Sequence, residues 1–333
     1  MKKVIKINIR FFLLLATLFC CVSCTGKKTY GEEDTTIYIQ RFDVDFYRYL
    51  QDEIDFSDLA VYTNFLNVYG ENVLNIGSSE DPGFQENVKS YFSNPAIQDL
   101  YRTEQELFTD ISSSNSELSR GLNLFLKEFP AISKPQIYMH VSGWEQKIIV
   151  TDDILSLSAD FYLGSDYPYY QHFFYDYQRK NMNPDRIVPD YLMGFMMANF
   201  PLEGKEDVLL DRMLYEGKLA YILSRLLPDR QEWEYVSYSK EEYDWCQSNR
   251  SQIWSTILEN QHFFTPNLRV VSQYIREAPH TVFLSEDSPG RVGVWLGYQI
   301  ITSYMKHNPD ISLSELMQKS DYQEMLKESR FKP

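Results

Sequence analysis

The sequence has few cysteines, and their positions exclude a disulfide framework. Four cysteines occur in 333 residues, and Cys20, Cys21 and Cys24 lie close together near the start. Loss of a leader and acylation of Cys24 would leave Cys246 alone, so the fold must be held by a core, which a chain of this length can build. Cys246 lies beside Trp245 with no histidine near it in sequence, which indicates a buried apolar residue and not a nucleophile.

Basic residues are also scarce. The chain has 32 Lys and Arg against 47 Asp and Glu, for a formal net charge of -15. An acidic chain of this kind is repelled by phosphate backbones and anionic membrane surfaces. We therefore predict no nucleic-acid partner, and we predict no cofactor.

No hydrophobic run is long enough to cross a membrane. The basic residues Lys2 to Arg10 precede an apolar run from Phe11 to Phe19, about half of the ~20 residues that a bilayer requires. Val22 and Ser23 then precede Cys24, as in a lipobox, where the cysteine is acylated and becomes the new N-terminus. Cys21 stands where leucine is usual, and a plain secreted protein is the alternative.

A lipidated Cys24 would be the link to a membrane, because two or more acyl chains hold a protein firmly. The location that follows is the bacterial cell envelope. No linker divides the rest of the chain, so a single domain is expected. The predicted organisation is a lipoprotein signal peptide at 1–23, a tether at 24–35 and one domain at 36–333.

The hydrophobic periodicity predicts a mostly α-helical chain with one small sheet. Up to Pro130 the pattern indicates amphipathic helices, with a loop at Ser112 to Ser114. The period then changes to two, which predicts a small antiparallel sheet. Its strands are expected within Gln136 to Val141, Lys147 to Val150 and Ile154 to Tyr162.

Two successive helices, Ile187 to Phe200 and Val208 to Leu227, are predicted at the centre of the fold. The second has an apolar stripe that contains Glu216. An isolated buried charge costs several kcal/mol, so this carboxylate must be paired, protonated or a metal ligand. Gly217 beside it lets another backbone come close.

The last long helix is predicted to start with Ser288 as N-cap and Pro289 as its first residue. Gly290, Gly293 and Gly297 fall on one face of it. Small residues on one face permit close helix contact, whereas a phosphate cradle needs glycines in a loop before the helix.

Three other groups of residues suggest chemistry. Asp43 and Asp45 point apart on a helix, which favours a capped helix start over an acid–base pair. His140 is predicted to be a satisfied core or surface histidine, because no second ligand lies at metal-binding spacing. The aromatic segment from Asp160 to Tyr177 could stack on a sugar or fill the gap between sheet and helix. Gly164 makes it a tight turn, which favours the second interpretation.

These motifs resemble those of the gliding-motility lipoprotein GldB family. The resemblance covers essentially the whole mature chain, and its last motif is the most specific. It rests on Cys24, on Arg41-Phe-Asp43, on Asp160-Phe-Tyr162-Leu-Gly164 with Asp166 after it, on Glu216-Gly217-Lys218, and on the Ser288 to Ile300 segment with Arg291, Gly293, Trp295 and Gly297.

That family is similar in turn to predicted zinc proteases of zincin type, in which a His-Glu-x-x-His helix precedes a helix with Glu-Gly-x-Ala. Glu216 stands where a third metal ligand would be, but Leu192 to Met197 reads Leu-Met-Gly-Phe-Met-Met. The resemblance therefore implies a degenerate, zincin-like α+β fold, with no metal and no catalytic residue. The five histidines are scattered along the chain, at 140, 172, 262, 280 and 307.

The function that the resemblance implies is a role in gliding and its associated secretion machinery. We expect a lipid-anchored, non-catalytic envelope protein that acts through contacts with other envelope proteins, with Glu216 paired to Arg291. One alternative is a hydrolase that uses Glu216 with Asp160 or a histidine. Another is a glycan-binding lipoprotein that uses the aromatics from Tyr162 to Tyr177.

Overall fold

A computed structural model describes residues 36–333, so Cys24, the predicted leader and the predicted tether lie outside the described residues. Thr36–Pro333 is one compact unit, mostly helical as expected. Within it, no helix combines the length and the apolar character that a membrane span requires. Short 3-10 helices occur at Phe56–Tyr62, Ala159–Phe161, Pro184–Arg186 and Glu234–Val236, and a π-helical turn at Tyr69–Val73.

The α-helices are numbered here in chain order. They are α1 (Phe42–Leu50), α2 (Thr63–Val68), α3 (Phe84–Tyr91), α4 (Pro95–Leu107), α5 (Ser112–Glu128), α6 (Tyr170–Phe173), α7 (Asp176–Arg179), α8 (Ile187–Asn199), α9 (Leu209–Leu226), α10 (Lys240–Ser248), α11 (Arg250–Glu259), α12 (Leu268–Ile275), α13 (Val292–His307), α14 (Leu313–Gln318) and α15 (Tyr322–Ser329).

The sheet is mixed, so the prediction of an antiparallel sheet was wrong. Its strands are β1 (Gln136–His140), β2 (Ile148–Val150) and β3 (Ile154–Ser158), in the order β1-β3-β2. β3 is antiparallel to β2 but parallel to β1. After β1 the chain crosses to the opposite edge of the sheet, where it forms β2. It then turns back, and β3 pairs with both β1 and β2 in the middle of the sheet. Periodicity reports strands but not this order.

The sheet lies between two hydrophobic cores. Along β1, Ile137 and Met139 face the larger core, which also contains the apolar sides of α5, α8, α9 and α13. Tyr138 faces a second core formed by α1 to α4. Successive residues of a strand point to opposite faces, which is why both faces of this short sheet are buried. Aromatic rings dominate the second core, where the ring centre of Phe42 lies 4.8 Å from that of Phe65.

Two predicted helix boundaries were wrong because polar residues there have other roles. Ser112 begins α5, and the break between helices comes earlier, where the Asp110 carboxylate accepts a hydrogen bond from the Ser112 amide at 2.8 Å. Ser288 does not cap α13. Its hydroxyl accepts a hydrogen bond from the Thr281 amide at 3.2 Å, and α13 starts after Arg291, whose φ is 60°.

The predicted close contact of helices through small residues is confirmed between α9 and α13. A Cβ added at Gly297 would overlap the Met213 carbonyl oxygen and lie 2.7 Å from its carbon. A Cβ added at Gly217 would lie 2.8 Å from the Tyr298 amide nitrogen. The two helix backbones therefore touch at these glycines, whereas Gly293 faces α12, with a Cβ there 3.0 Å from the Tyr274 carbonyl oxygen.

We expect Gly297→Ala to lower the free energy of unfolding by about 3 kcal/mol, because the new methyl group meets backbone atoms that cannot rotate away. The matched control is Gly194→Ala in α8, where a Cβ would meet the end of the Ile148 side chain at 2.9 Å. That side chain can move, and alanine adds helix propensity of about 1 kcal/mol. Urea unfolding of both variants measures the difference, and equal stabilities would contradict the backbone contact.

Candidate functional site

A cleft of about 560 Å³ lies between α8, α9, α13 and the start of β2. Glu216 lines the cleft together with Met193, Gly194 and Met197, which belong to the Leu192 to Met197 segment. Charged and apolar side chains both line it. The charged ones are Lys147, Arg186, Asp190, Arg212, Glu216, Arg276, Glu277 and Arg291, and the apolar ones are Ile148, Met193, Met197, Ala220, Ile275 and Val294.

Asp190 of α8 is held by three donors. Its Oδ2 accepts the Lys147 ammonium at 2.7 Å and the Tyr162 hydroxyl at 2.8 Å, while Oδ1 accepts Nη2 of Arg186 at 2.9 Å. Burial alone would raise the pKa of Asp190, but the charges of Lys147 and Arg186 outweigh it and hold that pKa below its ordinary value. The carboxylate is thus ionised and fully bonded, which makes it a weak general base.

Glu216 is paired with Arg212, so the predicted pairing with Arg291 was wrong. Nη2 of Arg212 lies 2.9 Å from Oε1 of Glu216, one helical turn away on the same face of α9. The Arg291 guanidinium lies in the same cleft, where it donates to the Val236 carbonyl at 3.5 Å. Arg291 has a left-handed backbone and precedes α13, whereas a helix starting at Ser288 would have included it.

Asp160 is buried outside the cleft and organises the loop between β1 and β2. Its carboxylate accepts the backbone amides of Ser142 at 3.2 Å and Trp144 at 2.8 Å, and the Ser158 hydroxyl. Burial raises the pKa of Asp160, against the effect of these hydrogen bonds. The loop it holds leads directly to Lys147, so Asp160 supports the cleft from behind.

The first part of the aromatic segment, from Phe161 to Tyr170, packs mostly inside the protein, whereas Phe173 and Tyr175 are 65% and 71% exposed. The Tyr162 ring is buried beneath the Lys147 ammonium, which lies 5.1 Å from the ring centre. The Tyr170 ring is also buried, and its hydroxyl donates to the Asp160 carbonyl at 2.6 Å. These contacts support the gap-filling interpretation. Gly164 has a φ of 103° that favours glycine, whereas Asp166 is exposed.

Two other motif residues also lie away from the cleft. The Trp295 ring is fully buried in α13, with the Arg250 guanidinium 6.0 Å from its centre. Lys218 is buried as well, and its ammonium donates to the carbonyls of Met317 at 3.1 Å and Lys319 at 2.8 Å. Burial lowers the pKa of Lys218 to about 8. Both residues join helices of the C-terminal half.

Sequence reasoning missed most of the cations in the cleft. Lys147, Arg186, Arg212 and Arg276 were not identified, and neither was Asp190. A signal was present: Arg186 with Asp190, and Arg212 with Glu216, are each four residues apart, the spacing of an ion pair on one helix face.

The residues of the cleft do not fit zinc. α8 presents Met193, Gly194 and Met197 to it, and thioethers are poor ligands for zinc. Residues 36–333 contain no group of three His, Cys, Asp or Glu side chains that could hold a metal ion. His140 is fully buried, as a core histidine would be, with Nδ1 2.7 Å from the Ser156 hydroxyl, and burial lowers its pKa to about 3. It is not fully satisfied as predicted, because its buried Nε2 has no hydrogen-bond partner among the described residues.

A second set of carboxyl groups lies between helix α1, which carries Asp43 and Asp45, and helix α4, which carries Glu104. Asp43 does not cap α1 as predicted, because it accepts the Arg41 guanidinium at 2.6 Å. Asp45 points elsewhere and accepts the Tyr62 hydroxyl at 2.7 Å. The buried neighbour of Asp43 is Glu104. Burial, and then the charge of Asp43, raise the pKa of Glu104 well above its ordinary value, so this carboxyl is protonated in the folded protein.

We expect the free energy of unfolding of Glu104→Gln, relative to that of the wild-type protein, to increase as pH rises. The folded protein keeps a proton on Glu104, whereas the unfolded chain releases it above about pH 4.3. The stability of the wild-type protein therefore falls as pH rises above this value. Glutamine carries no such proton. The stability of the variant relative to wild type should therefore increase by more than about 1 kcal/mol between pH 5 and pH 8.

Urea unfolding at the two pH values measures this change. The control is Glu106→Gln, an exposed position on the same helix, which should show no such increase. A difference between Glu104→Gln and wild type that does not depend on pH would show that Glu104 is ionised in the folded state.

Comparison with known proteins assigns the chain to a family. The family model described as gliding motility protein GldB matches residues 24–333 of this chain. No match was found among curated proteins or among solved structures. The matched range starts at the predicted lipidation site Cys24 and includes the whole described unit.

Proposed function

The chain belongs to the family of gliding motility protein GldB, and from this membership we propose a lipid-anchored, non-catalytic protein of the cell envelope. It acts in gliding motility through contacts with other envelope proteins. The acidic composition, 47 Asp and Glu against 32 Lys and Arg, supports protein partners over nucleic acid. The observation that supports a role in gliding is membership of this family.

The bonding of Asp190 and Glu216, two of the three carboxylates in the cleft, supports the non-catalytic part of the proposal. Asp190 is bonded to Lys147, Arg186 and Tyr162, and Glu216 to Arg212. A general base or a metal ligand needs free lone pairs aimed at its target, and hydrogen bonds occupy both oxygens of Asp190 and Oε1 of Glu216.

The relation to zincins is a further part of the proposal. What supports it is the order of α8 and α9 on one side of the cleft, with Glu216 in its Glu-Gly context facing the segment where a metal-binding helix would carry histidines. Apolar side chains fill that segment here. The cleft then persists as a shaped surface without the metal chemistry.

The hydrolase alternative and the glycan alternative each rest on residues that the fold uses otherwise. Asp160, named for hydrolysis, is buried behind the cleft and bonded to backbone amides. Of the aromatics from Tyr162 to Tyr177 named for sugar stacking, Tyr162 and Tyr170 have buried rings, and Phe173 and Tyr175 are exposed. These uses favour protein contacts over both alternatives.

We expect Cys24→Ala to release the protein from membranes, because acyl chains on this sulfur are the proposed anchor. Cells in which the variant replaces the wild-type chain are fractionated, and the protein is followed by immunoblot in membrane and soluble fractions. Cys20→Ala, within the predicted leader, is the matched control and should leave the distribution unchanged. Membrane association that persists in Cys24→Ala would contradict the lipid anchor.

We expect Glu216→Gln to leave gliding unchanged if the cleft is non-catalytic. The substitution removes the charge of the one carboxylate in a zincin-like position but keeps its size, at a stability cost of about 1 kcal/mol for a partly buried ion pair. Colony spreading and single-cell gliding are measured, with protein level as the control for folding.

Metal content gives a second test of the same proposal. The purified wild-type protein, prepared without chelator or His-tag, should contain less than about one-tenth of a zinc ion per chain by mass spectrometry. Loss of gliding in Glu216→Gln at normal protein level, together with about one zinc per chain, would instead support the hydrolase.

A further inference from the structure

Arg291 enters the cleft with most of its bonding capacity unused. Its backbone is fixed, since the Tyr238 hydroxyl donates to the preceding Gly290 carbonyl at 2.6 Å. Its guanidinium makes a single long hydrogen bond, 3.5 Å to the Val236 carbonyl, and forms no ion pair within residues 36–333. A guanidinium has five N–H donors in a planar fork that fits a carboxylate.

Other cations of the cleft are also incompletely satisfied. Arg276 is exposed at the rim and has no ion pair in the described part of the chain. Arg186 is only 9% exposed, and its Nε has no hydrogen-bond partner among the described residues. In total, five Lys and Arg face three Asp and Glu in the lining, whereas acidic residues outnumber basic ones in the whole chain. The cleft is a local positive site in an acidic protein.

Apolar side chains lie next to these cations. Met193, Met197 and Val294 line the same cleft, and Met197 is 44% exposed. The volume of about 560 Å³ lies in the range of small-molecule sites. A ligand that fits must therefore combine one anionic group with an apolar part.

We propose that the cleft binds a carboxylate carried on a short apolar group, with Arg291 as the guanidinium that receives it. The carboxylates of Asp190 and Glu216 are already on the wall, and they repel a dianionic phosphate more strongly than a singly charged carboxylate. Two sources have this chemistry: the C-terminal residue of a peptide and a small organic acid. This inference goes beyond the proposed function, and the lipid anchor does not depend on it.

Methionine methyl groups provide a local readout. The purified full-length protein carries ¹³C-methyl methionine, and the resonances of Met193 and Met197 are followed by NMR. Met182 and Met325 are buried elsewhere and report on the fold. The probes are N-acetyl-leucine, its amide, hexanoate and inorganic phosphate.

N-acetyl-leucine should shift the Met193 and Met197 resonances saturably, with a dissociation constant of about 1 mM. Its amide should bind at least about tenfold more weakly, because it lacks the charge. If hexanoate binds as well as N-acetyl-leucine, the source is an organic acid in general. If N-acetyl-leucine binds more tightly, a peptide terminus is the source.

Arg291→Gly is the variant that tests the assigned residue. Glycine adopts a φ of 60° without strain, so the variant should keep its fold and the resonances of Met182 and Met325. Its affinity for N-acetyl-leucine should fall by at least about tenfold. Arg225→Met removes an exposed arginine of α9 that is not part of the cleft, and it should bind like wild type.

Several results would overturn the proposal. One is equal binding of N-acetyl-leucine and its amide, and another is wild-type affinity in Arg291→Gly. Absence of any saturable shift up to about 50 mM N-acetyl-leucine would also overturn it. Phosphate that binds as tightly as N-acetyl-leucine would show a site for anions in general and not for a carboxylate on an apolar group.

Discussion

The direct contact of α9 with α13 at Gly217 and Gly297 is the constraint on which the centre of the fold depends. With no side chain between them, the two backbones touch, and this fixes the rotation of α9 about its axis. Adjacent helix residues point about 100° apart, so Glu216 then faces the cleft and Lys218 faces the C-terminal helices. The same contact brings the start of α13, with Arg291, to the cleft wall.

The charge of the cleft is opposite in sign to the net charge of the chain. The chain is acidic, yet its main cleft has more cations than carboxylates, and each inward carboxylate of α8 and α9 has a basic partner. Pairing with Lys147 and Arg186 lets Asp190 stay ionised while buried. It also leaves Arg291 without an ion-pair partner among the described residues, and an anionic ligand would supply one.

Patterns along one helix were predictable from the sequence, and contacts between distant elements were not. The apolar stripe around Glu216 correctly predicted a buried helix, and the small residues of α13 correctly predicted a close contact with another helix. The partner of Glu216 was missed although Arg212 lies one turn away, because spacing alone does not decide between a basic residue of the same helix and one of a neighbouring helix. The position of β3 between β1 and β2, and the binding of Ser288 to Thr281, depend on tertiary contacts that no periodicity encodes.

The motif residues divide into two groups with different physical roles, and this division bears on what the cleft is for. Asp160 holds the loop that leads to Lys147, and Tyr162 holds Asp190, so both maintain the cleft without entering it. An unused cavity would have no need of such supports, since apolar side chains can close it by packing. Here the ion pairs of Asp190 and Glu216 and the guanidinium of Arg291 keep charged groups at the cleft. We therefore consider it a binding surface that the fold maintains.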